Sequence, residues 1–331
     1  MERIAFIIGE TFVYWSAIIL TLAAAAAACT FVALYLGRTG KAISAALAVP
    51  MALVFSLVLA RFMHWYCRAD SYDSFFTAMT DHSSGGYALM GVFGGCLLAA
   101  VILRALFIVR DLPEMLDCMC IAGSLGIAVG RLSSFLNSSD RGQIIEGMTD
   151  LPWVYPVTNA VSGAVEYRLA TFVIQAMAAA GIFAVLLVFW LVGNRKRQKN
   201  GDTTLLFLLL YGVSQVVLDS TRYDSLFFRS NGFVSIVQVL GALGMALSII
   251  LFSVRLVKRR GFRGWYLVLW IPMAALIGGA GYMEYHVQRH GDQAAFAYSV
   301  MSGCLVLVVL LTLLVRALGL RKRSAEAVES A

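Results

Sequence analysis

Apolar residues in this chain come in runs of about twenty, separated by short polar and basic stretches, rather than alternating with period two. Runs of that length match the roughly 20 residues a helix needs to cross about 30 Å of hydrocarbon. An outer-membrane barrel would instead show segments of about ten with outward and inward positions alternating. Nine windows qualify, near 11–36, 42–66, 87–109, 113–130, 168–193, 204–221, 233–254, 265–283 and 297–317. The pattern predicts an all-α polytopic integral membrane protein with about nine transmembrane helices. The fourth window is the least apolar, because Pro113, Glu114 and Asp117 crowd its start and Gly123, Gly126 and Gly130 punctuate the rest. Small residues are what close helix contacts in lipid use, so this window is expected inside the bundle.

Composition agrees with that reading. Of 331 residues 60% are hydrophobic and only 14% charged, too few polar groups to cover a soluble enzyme or a nucleic-acid-binding domain. The formal charge of +7 changes the picture more. With the N-terminus outside, 17 of the 26 basic residues fall in cytoplasmic segments, among them all five lysines. The positive-inside rule therefore expects the N-terminus outside and the C-terminus in the cytoplasm. The nine basic residues left on the outer side are all arginine: Arg3, Arg61, Arg68, Arg131, Arg141, Arg168, Arg222, Arg229 and Arg289. Arginine presents a planar fork that matches phosphate oxygens in pairs, where lysine offers a point charge. Every histidine, His64, His82, His286 and His290, falls on that side too, so the chemistry is expected to face outward.

The six cysteines are scattered and form neither a disulfide framework nor a zinc spacing, and no metal site is expected. Gly-x-Ser-x-Gly, His-Glu-x-x-His and phosphate-loop signatures are absent. Residues 22–29 faintly resemble a lipoprotein cleavage box, but Glu2 and Glu10 are the wrong charge for a secretory leader, so the first window reads as an uncleaved span.

Three polar features stand out. The outer segment of about 131–167 opens with Gly130-Arg131-Leu132-Ser133-Ser134-Phe135-Leu136-Asn137-Ser138-Ser139-Asp140-Arg141-Gly142, more polar than a connector needs to be. The third window opens on a glycine-rich stretch, Gly85-Gly86-Tyr87 through Gly94-Gly95. Tyr211, Gln215, Asp219 and Arg222 recur at i, i+4, i+8 and i+11 and so share one helix face. A stripe of that polarity is costly against hydrocarbon and must line the bundle interior or a watery cavity. Asp219 and Arg222 can also be read as a simple ion pair. Gln238 is a further buried polar candidate in the next window.

Taken in order, these motifs resemble the bacterial prolipoprotein diacylglyceryl transferases over roughly residues 5–255. The likeness begins at Phe12-Val13-Tyr14-Trp15-Ser16 and continues through Arg61 and the glycine-rich third window. It is strongest over Gly130-Arg131 to Gly142, then runs through Tyr211-Gly212, Asp219, Arg222 and Asp224 to Gln238. Several signature positions are replaced. Met90 stands where the family has histidine, Ser134 replaces an asparagine, Ser139 an acidic residue and Gln215 an arginine. A Pro-x-Gln-Leu-Tyr-Glu stretch is blurred over 170–175.

The resemblance implies a seven-helix membrane domain over 1–255 and a C-terminal extension over 256–331 with two further spans and a basic tail. It implies residence in the bacterial plasma (inner) membrane and transfer of diacylglycerol from phosphatidylglycerol to the lipobox cysteine of a prolipoprotein signal peptide. Membrane lipids and the signal peptide would be the partners, without nucleic acid, metal or cofactor. Arg131, Arg222, Asp219 and His82 would carry catalysis, with Arg131 clamping the phosphate and the base left between His82 and Asp219. Arg131, Asn137, Arg141, Gly142, Tyr211, Gln215, Gln238, Tyr14, Trp15 and Arg61 would bind substrate. Two alternatives stay open: a relative that binds phospholipid or signal peptide without transfer, and an unrelated transporter.

Overall fold

The computed structural model describes residues 4–9, 11–80, 86–137, 141–145, 153–158, 163–192, 200–228, 231–290 and 293–320. Its helices are α1 (Trp15–Thr39), α2 (Ala42–Cys67), the short α3 (Phe75–Thr80), α4 (Leu89–Ala105), α5 (Leu112–Gly130), α6 (Thr171–Val192), α7 (Asp202–Ser220), α8 (Ile236–Arg260), α9 (Leu267–His290) and α10 (Ala294–Leu320). Eight are long and apolar enough to cross a membrane, and α4 is shorter, so the chain is a multi-pass membrane protein built of α-helices.

Although α4 has 17 residues, it lies antiparallel along α2 from Ala60 back to Ser44. Ala88 N–H donates to Ala60 O at 3.0 Å at one end, and Ser44 Oγ donates to Ile108 O at 3.1 Å at the other. Between them Gly91 and Gly95, one turn apart, bring the backbones into contact. A Cβ at Gly91 would stand 2.3 Å from Leu59 O, and one at Gly95 2.3 Å from Ser56 N. Without a hydrophobic drive between helices in lipid, such close packing is what holds a pair together. The same device joins α7 to α8, where Gly212 lies against the Gly241 carbonyl.

The least apolar window becomes the continuous helix α5, half of it buried, packed between α1 and α6 and touching α7. Its Asp117, 2% exposed, accounts for the polar start. One carboxylate oxygen accepts Gly201 N–H at 2.8 Å and the other accepts Thr204 N–H at 2.7 Å and Thr204 Oγ at 2.6 Å. The carboxylate caps the first turn of α7 from a different helix, satisfying backbone donors that have no partner within their own helix.

The helices beyond residue 264 are not a loose appendage. Ala280 of α9 and Met301, Leu305 and Val308 of α10 share one buried cluster with Leu209 and Met245 of α7 and α8. Asp202, at the start of α7, pairs with Arg255 of α8 and, at 3.3 Å, with Arg316 of α10.

Three two-stranded antiparallel hairpins were not anticipated: β1 (Ile4–Ile8) with β2 (Thr11–Tyr14), β3 (Val154–Thr158) with β4 (Val165–Leu169), and β5 (Phe227–Phe228) with β6 (Asn231–Ser235). They shift two boundaries. The first window starts in β2, so α1 begins at Trp15 rather than at 11, and residues 168–169 end β4 before α6 opens at Thr171. The physical reason is shared composition, since β-branched and aromatic residues suit a strand as well as a span. The turn between β1 and β2 is marked by Gly9 at φ +61°, a left-handed conformation that glycine adopts without steric cost.

Candidate active site

The site is built on the last three turns of α7. Three members of the expected stripe point inward as the spacing required, Tyr211 being 5% exposed, Gln215 2% and Asp219 1%. Arg222 instead lies beyond the end of α7, half-buried in the turn that follows, because the helix stops at Ser220. Phe207 stacks on Tyr211 with ring centroids 5.2 Å apart, and Phe93 of α4 meets it edge-on at 5.3 Å. Those rings hold the phenol still. Its hydroxyl is buried beside Arg131, with Asp219 and Arg222 also within electrostatic reach. Arg131 stands at the start of a 3₁₀ turn, Arg131–Phe135, that continues α5. Met90 belongs to the same apolar cluster as Tyr211.

Asp219 has no unused oxygen. Oδ1 accepts Arg222 Nη1 at 3.2 Å, and Oδ2 accepts the hydroxyl of Ser235, the cap of α8. The Asp219 backbone carbonyl accepts Ser225 Oγ at 2.9 Å. Arg222 also donates through Nε and Nη2 to Asp224 Oδ1, at 3.1 and 3.0 Å. The ion-pair reading of Asp219 and Arg222 is therefore correct but incomplete, because the pair is one stretch of a longer network.

Residues 141–145 bring the signature loop to this place. The segment runs between β4 and the turn after α7: Gly142 N–H donates to Leu169 O at 3.0 Å, Gln143 N–H to Thr221 O at 3.1 Å and Tyr223 N–H to Arg141 O at 2.8 Å. Only glycine fits at 142, since a Cβ there would stand 2.4 Å from Leu169 O. Arg168 locks the arrangement, donating to Gly142 O at 3.3 Å while paired with Glu166 at 2.7 Å and lying over the Tyr223 ring. Arg141, Gly142 and Arg222 thus share one small backbone network.

The other expected residues fall around this centre or apart from it. Asn137 is half-buried just past the 3₁₀ turn. Tyr14 caps α1 and Trp15 begins it, with Trp15 48% exposed. Gln215 faces α6, where Gln175 Nε2 donates to its Oε1 at 3.5 Å. Arg61, 2% exposed, donates to Gly86 O at 2.9 Å and to Ala78 O, and lies near the rings of Tyr72 and Tyr87, so it organises the connection from α2 to α4. Gln238 is engaged by protein on both ends of its amide: Oε1 accepts Ser235 N–H, while Nε2 donates to Val216 O and to Glu284 Oε1. His82 and Ser139 lie outside the described residues.

Sequence reasoning missed Ser235, Ser220 and Glu284. The cue for Glu284 was available, a lone carboxylate near the end of an apolar span with Gln288 one turn on, but no motif drew attention to it. An open cavity of about 280 Å³ is lined by Cys67, Arg68, Asp70 and Ser71 on one side and Ser225, Phe227 and Phe228 on the other.

Comparison with known proteins places the chain in a family. Residues 3–254 match the family described as prolipoprotein diacylglyceryl transferase. A phosphatidylglycerol–prolipoprotein diacylglyceryl transferase of Finegoldia magna is 26% identical over 229 residues, covering 69% of this chain and 86% of its own length. The like-named protein of Streptococcus sanguinis is 25% identical over 204 residues, 60% of this chain and 75% of its own. That of Synechocystis is 30% identical over 149 residues, 43% and 50% respectively.

Proposed function

This chain belongs to the prolipoprotein diacylglyceryl transferase family, and from that premise we propose that it moves the diacylglyceryl group of phosphatidylglycerol onto the lipobox cysteine of a prolipoprotein in the bacterial inner membrane. In that reaction the cysteine thiolate forms a new sulfur–carbon bond to the glyceryl carbon. The carbon–oxygen bond to phosphate breaks, and glycerol phosphate departs with the bonding electron pair. The thiol proton must pass to a base.

What carries the reading is that Arg131 and Arg222 both lie within electrostatic reach of the buried hydroxyl of Tyr211. Two guanidinium groups suit a phosphate that gains charge as it leaves, and a donor held ready in a site of low dielectric costs little to reorganise. Arg131 is the phosphate clamp, Tyr211 a donor to a phosphate oxygen, and Arg222 a second cation held in place by Asp219 and Asp224. Asp219, with both oxygens engaged, serves to orient Arg222 rather than to take the thiol proton. That leaves His82 as the general base. Asn137 and Arg141 border the headgroup, Gly142 holds their segment in place, and Trp15 with Tyr14 meets the lipid or the peptide. Residues 1–255 form the transferase unit and 256–331 an extension, with the N-terminus outside and the C-terminus in the cytoplasm.

Complementation tests the reading. Expressed in a host depleted of its own transferase, the chain restores growth and lipoprotein modification, and Arg131→Ala abolishes both. Failure of the wild-type chain to rescue despite good membrane expression would favour a relative that binds lipid or signal peptide without transfer.

A further inference from the structure

The helix that lies outside the family match reaches into the network that orients Arg222. Glu284 of α9 is 7% exposed, and its Oε1 accepts three hydrogen bonds: from Ser220 Oγ at 3.0 Å, Gln238 Nε2 at 2.9 Å and Gln288 Nε2 at 3.0 Å. Two of these lead directly to Asp219. Gln238 is the third residue of α8 and forms a reciprocal capping box with Ser235, whose hydroxyl donates to Asp219 Oδ2. Ser220 follows Asp219 in the chain and is also bonded to Tyr298 of α10, whose hydroxyl donates to the Ser220 carbonyl at 3.2 Å. The unbroken path is Glu284, Gln238, Ser235, Asp219, Arg222.

The second oxygen of Glu284 is buried with no partner among the described residues. Burying an unsatisfied carboxylate oxygen is costly, so stability alone is a poor reason for an acid here.

We propose that Glu284 is a positioning residue for the transfer site, acting through Gln238 and Ser220 to fix the Asp219 carboxylate that aims Arg222. The C-terminal extension is then a working part of the site in this chain, supplying from α9 and α10 an outer support for residues whose family role is assumed in the reading above. The inference rests on that reading, and two measurements separate the two.

The first is steady-state transfer from phosphatidylglycerol to a lipobox peptide by the full-length protein in lipid nanodiscs. Glu284→Leu is expected to lower kcat about tenfold to hundredfold, the usual range for losing a group that orients a functional side chain, with KM for the peptide little changed. Glu284→Gln keeps an acceptor oxygen for the same three donors and should stay within about threefold of wild type. Because the carboxylate acts in part through Gln238, the combined loss in the double variant Glu284→Leu, Gln238→Met should be smaller than the product of the two single losses. A Glu284→Leu protein with wild-type kcat, or additive losses in the double variant, would overturn the proposal.

The second measurement does not depend on turnover. Hydrogen exchange should speed up at the Ser235 and Gln238 amides in Glu284→Leu but not in Glu284→Gln, and unchanged exchange at both would also overturn it. Wild-type protein without transferase activity would refute the proposed reaction, while the exchange comparison still decides whether Glu284 holds the network. If Glu284→Leu fails to fold, the decision passes to Glu284→Asp, one methylene too short to reach Gln238. It should show the same kcat loss and faster exchange, and wild-type values would refute the link.

Discussion

Adding a single methyl group at Gly142 should disable the protein while leaving most of its fold intact. Gly142 does not have a left-handed φ, so alanine acts there through crowding rather than backbone strain. Its Cβ would lie 2.4 Å from Leu169 O, 2.6 Å from Leu169 Cβ and 2.7 Å from Thr171 Oγ1. Carbon atoms rest at about 3.5–4.0 Å from their neighbours, so the 141–145 segment must retreat from β4 by about 1 Å. The retreat strains the bonds from Gly142 to Leu169 and from Gln143 to Thr221, and it drags the paired backbone of Arg222 with it. Overpacking of this kind costs about 1–3 kcal/mol of stability. A displacement of about 1 Å at a group that must meet a reacting phosphate costs on the order of a hundredfold in rate. Release of glycerol phosphate, followed together with the mobility shift of a lipobox peptide, measures the rate, and the thermal midpoint in detergent measures the stability. Gly123→Ala is the matched control, because nothing lies within 4 Å of its Cβ. A Gly142→Ala protein within twofold of wild-type kcat would show that the segment does not position Arg222.

Further outcomes follow from the same contacts. Asp219→Asn leaves one carbonyl oxygen to serve both Ser235 and Arg222, so stability should fall by about 1–3 kcal/mol and kcat should fall with it; unchanged thermal midpoint and rate would contradict the network. Asp117→Ala removes the acceptor for three donors at the start of α7 and should lower stability by about 2–4 kcal/mol. Chemical denaturation compared with Ser124→Ala would expose the difference, and equal midpoints would refute the capping role. A reporter active only outside the cytoplasm, fused after residue 199, should stay silent; activity there would invert the topology.

Much of this molecule could be read before any coordinates were known, and what escaped has identifiable causes. A span announces itself because about twenty apolar residues have few other uses, and the face shared by Tyr211, Gln215 and Asp219 follows from helical geometry alone. The hairpins escaped because Phe12 to Tyr14 is as apolar as the helix it precedes. Asp117 was visible only as an awkward residue at the start of a span, since its partners at 201 and 204 lie more than eighty positions away. Gln238 was visible as a polar group that had to be buried. Its partner was not, because Glu284 stands 46 residues further on and outside every motif. Local periodicity reveals which side chains need company, while only the fold decides who provides it.

The ties along α7 have a mechanical consequence. The helix is held by Asp117 at its first turn, by Ser248 at Leu205, by the Gly212 contact at mid-length and by Ser235, Tyr298 and Glu284 at its far end. A rod pinned at both ends and in the middle cannot slide or rotate like a piston without breaking several buried bonds at once. It acts as a fixed post, and admitting a fresh lipid or discharging a modified peptide falls to the elements that stand around it.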